Sequence, residues 1–289
     1  MIKHLTGKRQ RWRKIRRDDL HKAESYLRER EKFCVSASAR FLKMSENRRS
    51  GHIWRLSGRE GEISALLLHT QQALYPIFNK NSAVPGPSFL NRFLCKVPIH
   101  SLQGLREDAE ILETLMEEQG YYATEQIDYV LMSMDSGPRP EALRAGQAGL
   151  VLRAPRQEDE ETVFALQSVY EQEEVLPKNA EFYAPACRLN LQHILANERV
   201  LVAEWGGQVV GKINTSAESF TRRQIGGVYV RPDCRGRGIC TKMTAVFAGE
   251  LLSMGRGVTL FVKTRNKTAI KAYHKAGLVS LADYRITYY

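Results

Sequence analysis

The stretch VYVRPDCRGRGICTKM, residues 228–243, sets three arginines and two glycines between an apolar, strand-like run and a segment of helical periodicity. QIGGVYV (224–230) is β-branched and aromatic, Pro232 closes it, and Ile239, Met243, Val246, Phe247 and Leu251 recur at the spacing of one helix face. Gly236 and Gly238 therefore fall in a turn that leads from a strand into a helix N-terminus. Unpaired N–H groups and the positive end of the helix dipole make such a turn an anion site, and glycine lets a phosphate approach the backbone closely. Arg235 and Arg237 add guanidinium groups suited to phosphate oxygens. A dinucleotide fingerprint is not met, because Thr241 stands where a third glycine belongs and no second βαβ unit comes after it. Nor is GGQVVGKI (206–213) a P-loop: Ile213 occupies the place of the magnesium-binding Ser or Thr, and Gly206-Gly207 suits a hairpin turn.

The rest of the chain bounds the roles this junction can serve. Its 289 residues are comfortable for two domains, and 43% hydrophobic with 26% charged residues is an ordinary soluble composition. No window approaches the roughly 18 consecutive apolar residues of a membrane span, and no secretory signal is expected after the charged N-terminus. Five scattered cysteines (Cys34, Cys95, Cys187, Cys234, Cys240) without a C-x-x-C pair point to a reducing compartment, so a cytoplasmic location and no metal site are expected. Of the net charge of +11, eight positive charges lie in residues 1–17, where no acid offsets them. Such an arm is either solvated or a contact for nucleic acid or an anionic surface, and Trp12 within it offers a ring for stacking on a base.

Beyond the arm, pattern divides the chain into two units of similar rhythm. Residues 18–134 read as an α+β domain: helix over 20–43, strands at HIWRL, EISALLL, ALYPIF and FLCKVPI, helix over 106–118, and strand at IDYVLMSM. The Gly-, Pro- and Ala-rich stretch 135–148 reads as a linker. Residues 149–289 open on the strand LVLRAP, continue through helices near 157–170 and 185–197, and reach the hairpin VLVAEW/QVVGKINTS.

About twenty residues past the glycine turn begins VTLFVKTRNKTAIKAYHKAGLV (258–279): a strand to Lys263, Asn266 in the turn, then a helix carrying Ala269, Tyr273 and His274 before Gly277. Together with VRPDCRGRGIC, this resembles the GCN5-related N-acetyltransferase (GNAT) family, whose Arg/Gln-x-x-Gly-x-Gly/Ala loop falls on Arg235, Gly238 and Cys240. The chain departs from the family at Cys240, where Gly or Ala is usual, and at AGL in place of a common GF ending. The resemblance implies an α+β fold, a GNAT-like mixed sheet flanked by helices in the C-terminal domain. The N-terminal domain shares the rhythm and reads as a smaller or degenerate α+β copy of the same fold, with PIHSLQGLRED (98–108) where a phosphate turn would be, or else as an unrelated α+β domain.

For the chemistry, the resemblance implies acetyl-coenzyme A as acetyl donor and an amine, of a small molecule or a protein, as acceptor. Its pyrophosphate would lie on the amides of Arg235, Gly236, Arg237, Gly238, Ile239 and Cys240, and its pantetheine arm along Val228, Tyr229 and Val230. Asn266 and Tyr273 would sit near the thioester, with Tyr273 protonating the departing thiolate; His274 receives no role. For the base, Glu218 is the first candidate, with Glu204 and the terminal carboxylate of Tyr289 beside it. Two other readings stay open at this point: a coenzyme A-binding regulatory protein without catalysis, and a nucleic-acid-associated protein acting through the basic arm.

Overall fold

The computed structural model describes residues 12–46, 51–57, 62–79, 85–178 and 180–289. In chain order the first stretch holds β1 (Arg13–Lys14), α1 (Leu20–Arg30), α2 (Val35–Glu46), β2 (His52–Ser57), β3 (Ile63–Thr70), β4 (Ala73–Phe78), α3 (Pro87–Leu94), β5 (Ser101–Leu105), α4 (Arg106–Glu117) and β6 (Glu125–Met134). The second holds α5 (Pro140–Leu143), β7 (Val151–Arg153), α6 (Glu160–Tyr170), α7 (Ala184–Asn197), β8 (Val200–Trp205), β9 (Gln208–Glu218), β10 (Arg222–Val230), α8 (Ile239–Ser253), β11 (Gly257–Lys263), α9 (Lys267–Ala276) and β12 (Val279–Tyr288). A π-helical turn, Glu171–Val175, extends α6. Among the described residues no helix is long and apolar enough to cross a membrane.

Two compact units form, and their boundaries differ from those the pattern suggests. One comprises residues up to Asp128 together with Asp283–Tyr289, the other Tyr129–Ala282. The sheet order is β1-β2-β3-β4-β5-β12 in the first and β6-β11-β10-β9-β8-β7 in the second. Among the described residues a short strand, two helices, three antiparallel strands, a helix, a parallel strand, a helix and a last strand make up each repeat, but the last strands are traded. β6, which ends the first repeat, pairs β11 from Val258–Met134 to Lys263–Tyr129, while β12 pairs β5 from Tyr284–Leu105 to Tyr288–Ser101. A domain cut at 134 or a linker at 135–148 therefore separates β6 from the sheet it completes, and α5 lies inside that stretch. Periodicity could not show this, since pairing partners are a matter of tertiary contact.

The first unit satisfies its own backbone where its strands part. β4 and β5 pair in parallel only at Ala73–Ser101 and Leu74–Leu102. Beyond that point a Cβ on Gly104 would meet the Pro76 ring at 3.1 Å, the Phe78 N–H donates to Asp108 Oδ2 (3.2 Å), and the Tyr26 hydroxyl donates to the Ile77 carbonyl (3.1 Å). Burial pushes the Asp108 carboxyl up to about 7. FLCKVPI is not a strand: Phe93 and Leu94 end α3 and pack in a core with Leu67, Leu102 and Leu112. The helix expected over 20–43 breaks at Cys34 into α1 and α2. Of the basic arm, residues 1–11 lie outside the described residues. Trp12 does not present a free ring for stacking on a base; it packs against Phe78 and Phe89, at centroid distances of 6.0 and 5.7 Å.

In the second unit Val200–Ala203 of β8 are apolar and buried on both faces, because helices cover both. Leu201 and Ala203 of β8 share a core with Met243, Phe247 and Leu251 of α8, whereas Val202 between them packs with Val163 and Leu166 of α6 and Leu191 of α7. Gly206 and Gly207, at φ +61° and +74°, make the tight turn between β8 and β9.

Candidate active site

Strand β10 carries the site because its two neighbours treat it differently. Against β11 it pairs in parallel from Arg222–Gly257 to Ile225–Leu260, where the pairing ends. Against β9 the antiparallel register slips between Gly226 and Tyr229, so Gly227 and Val228 form a bulge. Gly227 has φ +57°, and a Cβ there would lie 1.9 Å from Asn214 Oδ1 and 2.7 Å from Lys212 Nζ. Side chains hold both polar groups of this residue: its N–H donates to the Tyr170 hydroxyl (3.2 Å) and its carbonyl accepts from Lys212 Nζ (2.9 Å). Lys212 also donates to Asn214 Oδ1 (3.1 Å) and sits 5.0 Å from the centroid of the Tyr170 ring. The residue is 1% exposed, and burial pushes its pKa down to about 7.

Past Ile225 the two strands border a cavity of about 560 Å³. Gly226–Val230 line one side and Leu260–Lys263 the other, with the turn Cys234–Gly236, the first residues of α8, Asn266, Tyr273 and the acidic turn after α6 completing the wall. Gly236 and Gly238 both have φ +77°, but for different reasons. A Cβ on Gly236 would meet nothing within 4 Å, whereas one on Gly238 would lie 2.9 Å from the Gly146 nitrogen. Gly238 is thus required by the chain's own packing, and Gly236 leaves the face of the loop open. Helix α8 begins without a side-chain cap, which leaves first-turn N–H groups available to a ligand.

Most of the residues expected in the site do converge here. Val228, Tyr229, Val230, Arg235, Gly236, Gly238, Ile239, Cys240, Asn266 and Tyr273 all line the cavity. Arg235 folds back on β10, donating to the Val230 carbonyl (2.9 Å) with its guanidinium 5.1 Å from the Tyr229 ring centroid. Asn266 caps α9 by accepting from the Ala269 N–H (3.0 Å) and donates from Nδ2 to Glu174 (3.1 Å). Tyr273 is buried, which raises its pKa well above the ordinary phenol value and keeps it protonated. Burial likewise pushes the Cys240 thiol up to about 11.

Several expectations are corrected. Arg237 is not in the cavity wall; its guanidinium lies 5.0 Å from the Trp205 ring centroid. Glu218 is not there either, because it ends β9 beside the paired part of β10, where its carboxylate meets Arg223 (2.7 Å) and Arg256 (3.1 Å). Glu204 bonds Arg153 at 2.7 Å, and Tyr289 belongs to the first unit, packed on its core. His274 bonds the Leu278 carbonyl at the end of α9. Sequence reasoning missed Tyr170, Lys212, Glu173, Glu174 and Lys263. A lysine inside the apolar run QVVGKI and the acid run EQEE after a helix were the available signals.

The family model described as Acetyltransferase (GNAT) family matches residues 162–278, from α6 to the end of α9. Those residues form a GNAT domain. Among solved structures, a Drosophila protein resembles the chain with a TM-score of 0.63 and 12% identity, covering 97% of this chain and 99% of its own. A GCN5-related N-acetyltransferase from Sphaerobacter thermophilus gives 0.60 and 18%, with coverages of 97% and 95%. A GCN5-related N-acetyltransferase-like protein from Streptococcus suis gives 0.53 and 16%, with 92% and 98%. At these identities the likeness is one of fold, and it extends over nearly the whole chain. No curated protein matches the sequence. The cavity lies in the GNAT domain, apart from Tyr129 of β6, which precedes the matched residues.

Proposed function

We propose that the GNAT domain transfers an acetyl group from acetyl-coenzyme A to an amine by direct attack of the amine on the thioester carbonyl. The observation that carries this reading is the end of β10–β11 pairing at Ile225–Leu260, immediately beside the Arg235–Thr241 loop. Backbone N–H and C=O groups past that point, which β11 no longer pairs, suit an extended, amide-bearing ligand arm joining as a strand. The uncapped start of α8, with Gly236 open above it, suits a diphosphate. The donor supplies an activated acyl group and a thiolate leaving group. Tyr273, protonated and on the cavity wall, is the residue to deliver a proton to the departing sulfur. Lys212 and Tyr170 fix the bulge at Gly227 and with it the direction of the next amide, Val228, as a donor toward a developing oxyanion. The carboxylates on the cavity wall are Glu173 and Glu174, which take over from Glu218 as the candidates to receive the amine's proton.

The test is thiol release from acetyl-coenzyme A against a panel of amines: polyamines, aminoglycosides, free lysine, and peptides with free N-termini or lysines. The reading expects release that needs both the protein and one class of amine, with the acetylated amine found by mass spectrometry. Tight coenzyme A binding without turnover on any amine would make the domain a regulatory binding module instead.

A further inference from the structure

The cationic and amide donors Arg235, Lys263 and Asn266 on the cavity wall already have carboxylates from the turn after α6. Glu173 accepts from Arg235 Nη2 (3.1 Å) and from the Tyr229 hydroxyl (3.4 Å), so it bonds the β10 side and the glycine turn. Glu174, next in sequence, meets Lys263 Nζ (3.5 Å) and accepts from Asn266 Nδ2 (3.1 Å), which are on the β11 side. Lys263 Nζ further donates to the Glu173 carbonyl (3.2 Å). Two consecutive carboxylates thus bridge the two strands where they part. They do so from a single π-helical turn, closed by the Leu176 N–H donating to the Glu171 carbonyl at 2.8 Å. Such one-turn widenings of an α-helix recur at functional sites.

The charges make this arrangement more than packing. An anionic donor needs the Arg235 guanidinium, yet that group is engaged by a carboxylate that repels the same anion. Burying Lys263, whose side chain is 3% exposed, requires a counter-charge, and Glu174 provides one. Glu173 and Arg235 are closer to solvent, at 43% and 49% exposure, where an ion pair is weak enough to be exchanged. We propose that Glu173 and Glu174 form an exchangeable acidic latch across the donor cavity: a phosphate-bearing donor competes with Glu173 for Arg235, and the carboxylate it displaces then faces the cavity as the site for a cationic amine. The latch rests on the acetyl-coenzyme A reading of the cavity. It ties the two substrates together, because the charge that draws in the amine becomes available as the donor binds, and it names the acceptor class as an amine that arrives protonated.

Calorimetric titration with coenzyme A tests the exchange without any knowledge of the acceptor. Wild type, Glu173→Gln and Glu174→Gln are compared at one ionic strength, and each is also titrated with pantetheine, which has the same amide arm and no phosphate. Exposed ion pairs are worth up to about 1 kcal/mol, so removing the competing charge in Glu173→Gln should tighten coenzyme A about two- to fivefold and leave pantetheine unchanged. Glu174→Gln should act in the same direction, and melting curves check that both variants are folded. Coenzyme A binding that is unchanged or weaker in both variants, while wild type binds it, overturns the latch and spares the donor reading. An equal gain for pantetheine also overturns it, since charge exchange cannot act on a neutral arm. If none of the three proteins binds coenzyme A, the donor reading falls and the latch with it.

Discussion

Replacing Gly227 with Ala puts one methyl group at the point where β10 leaves β11, and the structure gives the size of the effect. The residue has φ +57°, a conformation that costs an L-residue with a Cβ roughly 1–2 kcal/mol. The methyl carbon would sit 1.9 Å from Asn214 Oδ1 and 2.7 Å from Lys212 Nζ, both on buried side chains that hydrogen-bond to each other. One of them must move, and losing a hydrogen bond to a charged group costs about 1.5–3 kcal/mol. The two terms together come to about 2.5–5 kcal/mol. For a unit of this size each kcal/mol lowers the melting temperature by roughly 2–4 °C, so the variant should melt about 5–20 °C below wild type. Gly207→Ala is the matched control: it has φ +74°, but its Cβ would meet nothing within 4 Å, so only the backbone cost remains. Both variants are compared with wild type by circular dichroism melting. A Gly227→Ala protein that melts within a few degrees of Gly207→Ala would refute the claim that Lys212 and Asn214 hold the bulge rigidly.

The same geometry sets further expected outcomes. Gly236→Ala should cost only the backbone strain in stability yet weaken coenzyme A binding by about tenfold or more in calorimetry, whereas Gly238→Ala should lower the melting temperature further, because its Cβ would lie 2.9 Å from the Gly146 nitrogen. Tyr273→Phe should cut kcat by about tenfold or more on whichever amine the panel identifies and leave the melting temperature and coenzyme A affinity in place; an early-melting variant with normal kcat would make Tyr273 a packing residue. Lys212 has a folded-state pKa of about 7, below the value of about 10.4 for an unfolded lysine, so between these pH values the unfolded chain binds more protons. The stability of wild type relative to Lys212→Met should therefore rise as pH goes from about 7 to 10 and stay level below that window, as read from melting curves of both proteins. A fragment spanning 149–289 lacks β6 and leaves the edge of β11 unpaired, so it should be insoluble or unfolded by circular dichroism, while the full chain is not.

The sequence alone determined the parts of the site that are local in the chain. The run QIGGVYV, Pro232, the two glycines and the helical spacing from Ile239 to Leu251 fix a strand, a turn and a helix within about 30 residues, and the turn chemistry is contained in those residues. Asn266 was legible as a cap and Tyr273 as one face of α9 for the same reason: helix periodicity and capping are short-range rules. Tertiary structure decided everything that depends on which strand lies beside which. Lys212 reads in sequence as an ordinary strand lysine, and only the approach of β9 to the bulge in β10 buries it and joins it to the Gly227 carbonyl. Glu218 and Glu174 are equally acidic on paper. One ends beside two arginines at the paired end of β10 and the other reaches the cavity, because the distance from a carboxylate to a site is set by the fold and not by the chain. The exchange of β6 and β12 was hidden for the same reason, since either strand has the pattern of a final strand and backbone hydrogen bonds do not record which repeat supplied them.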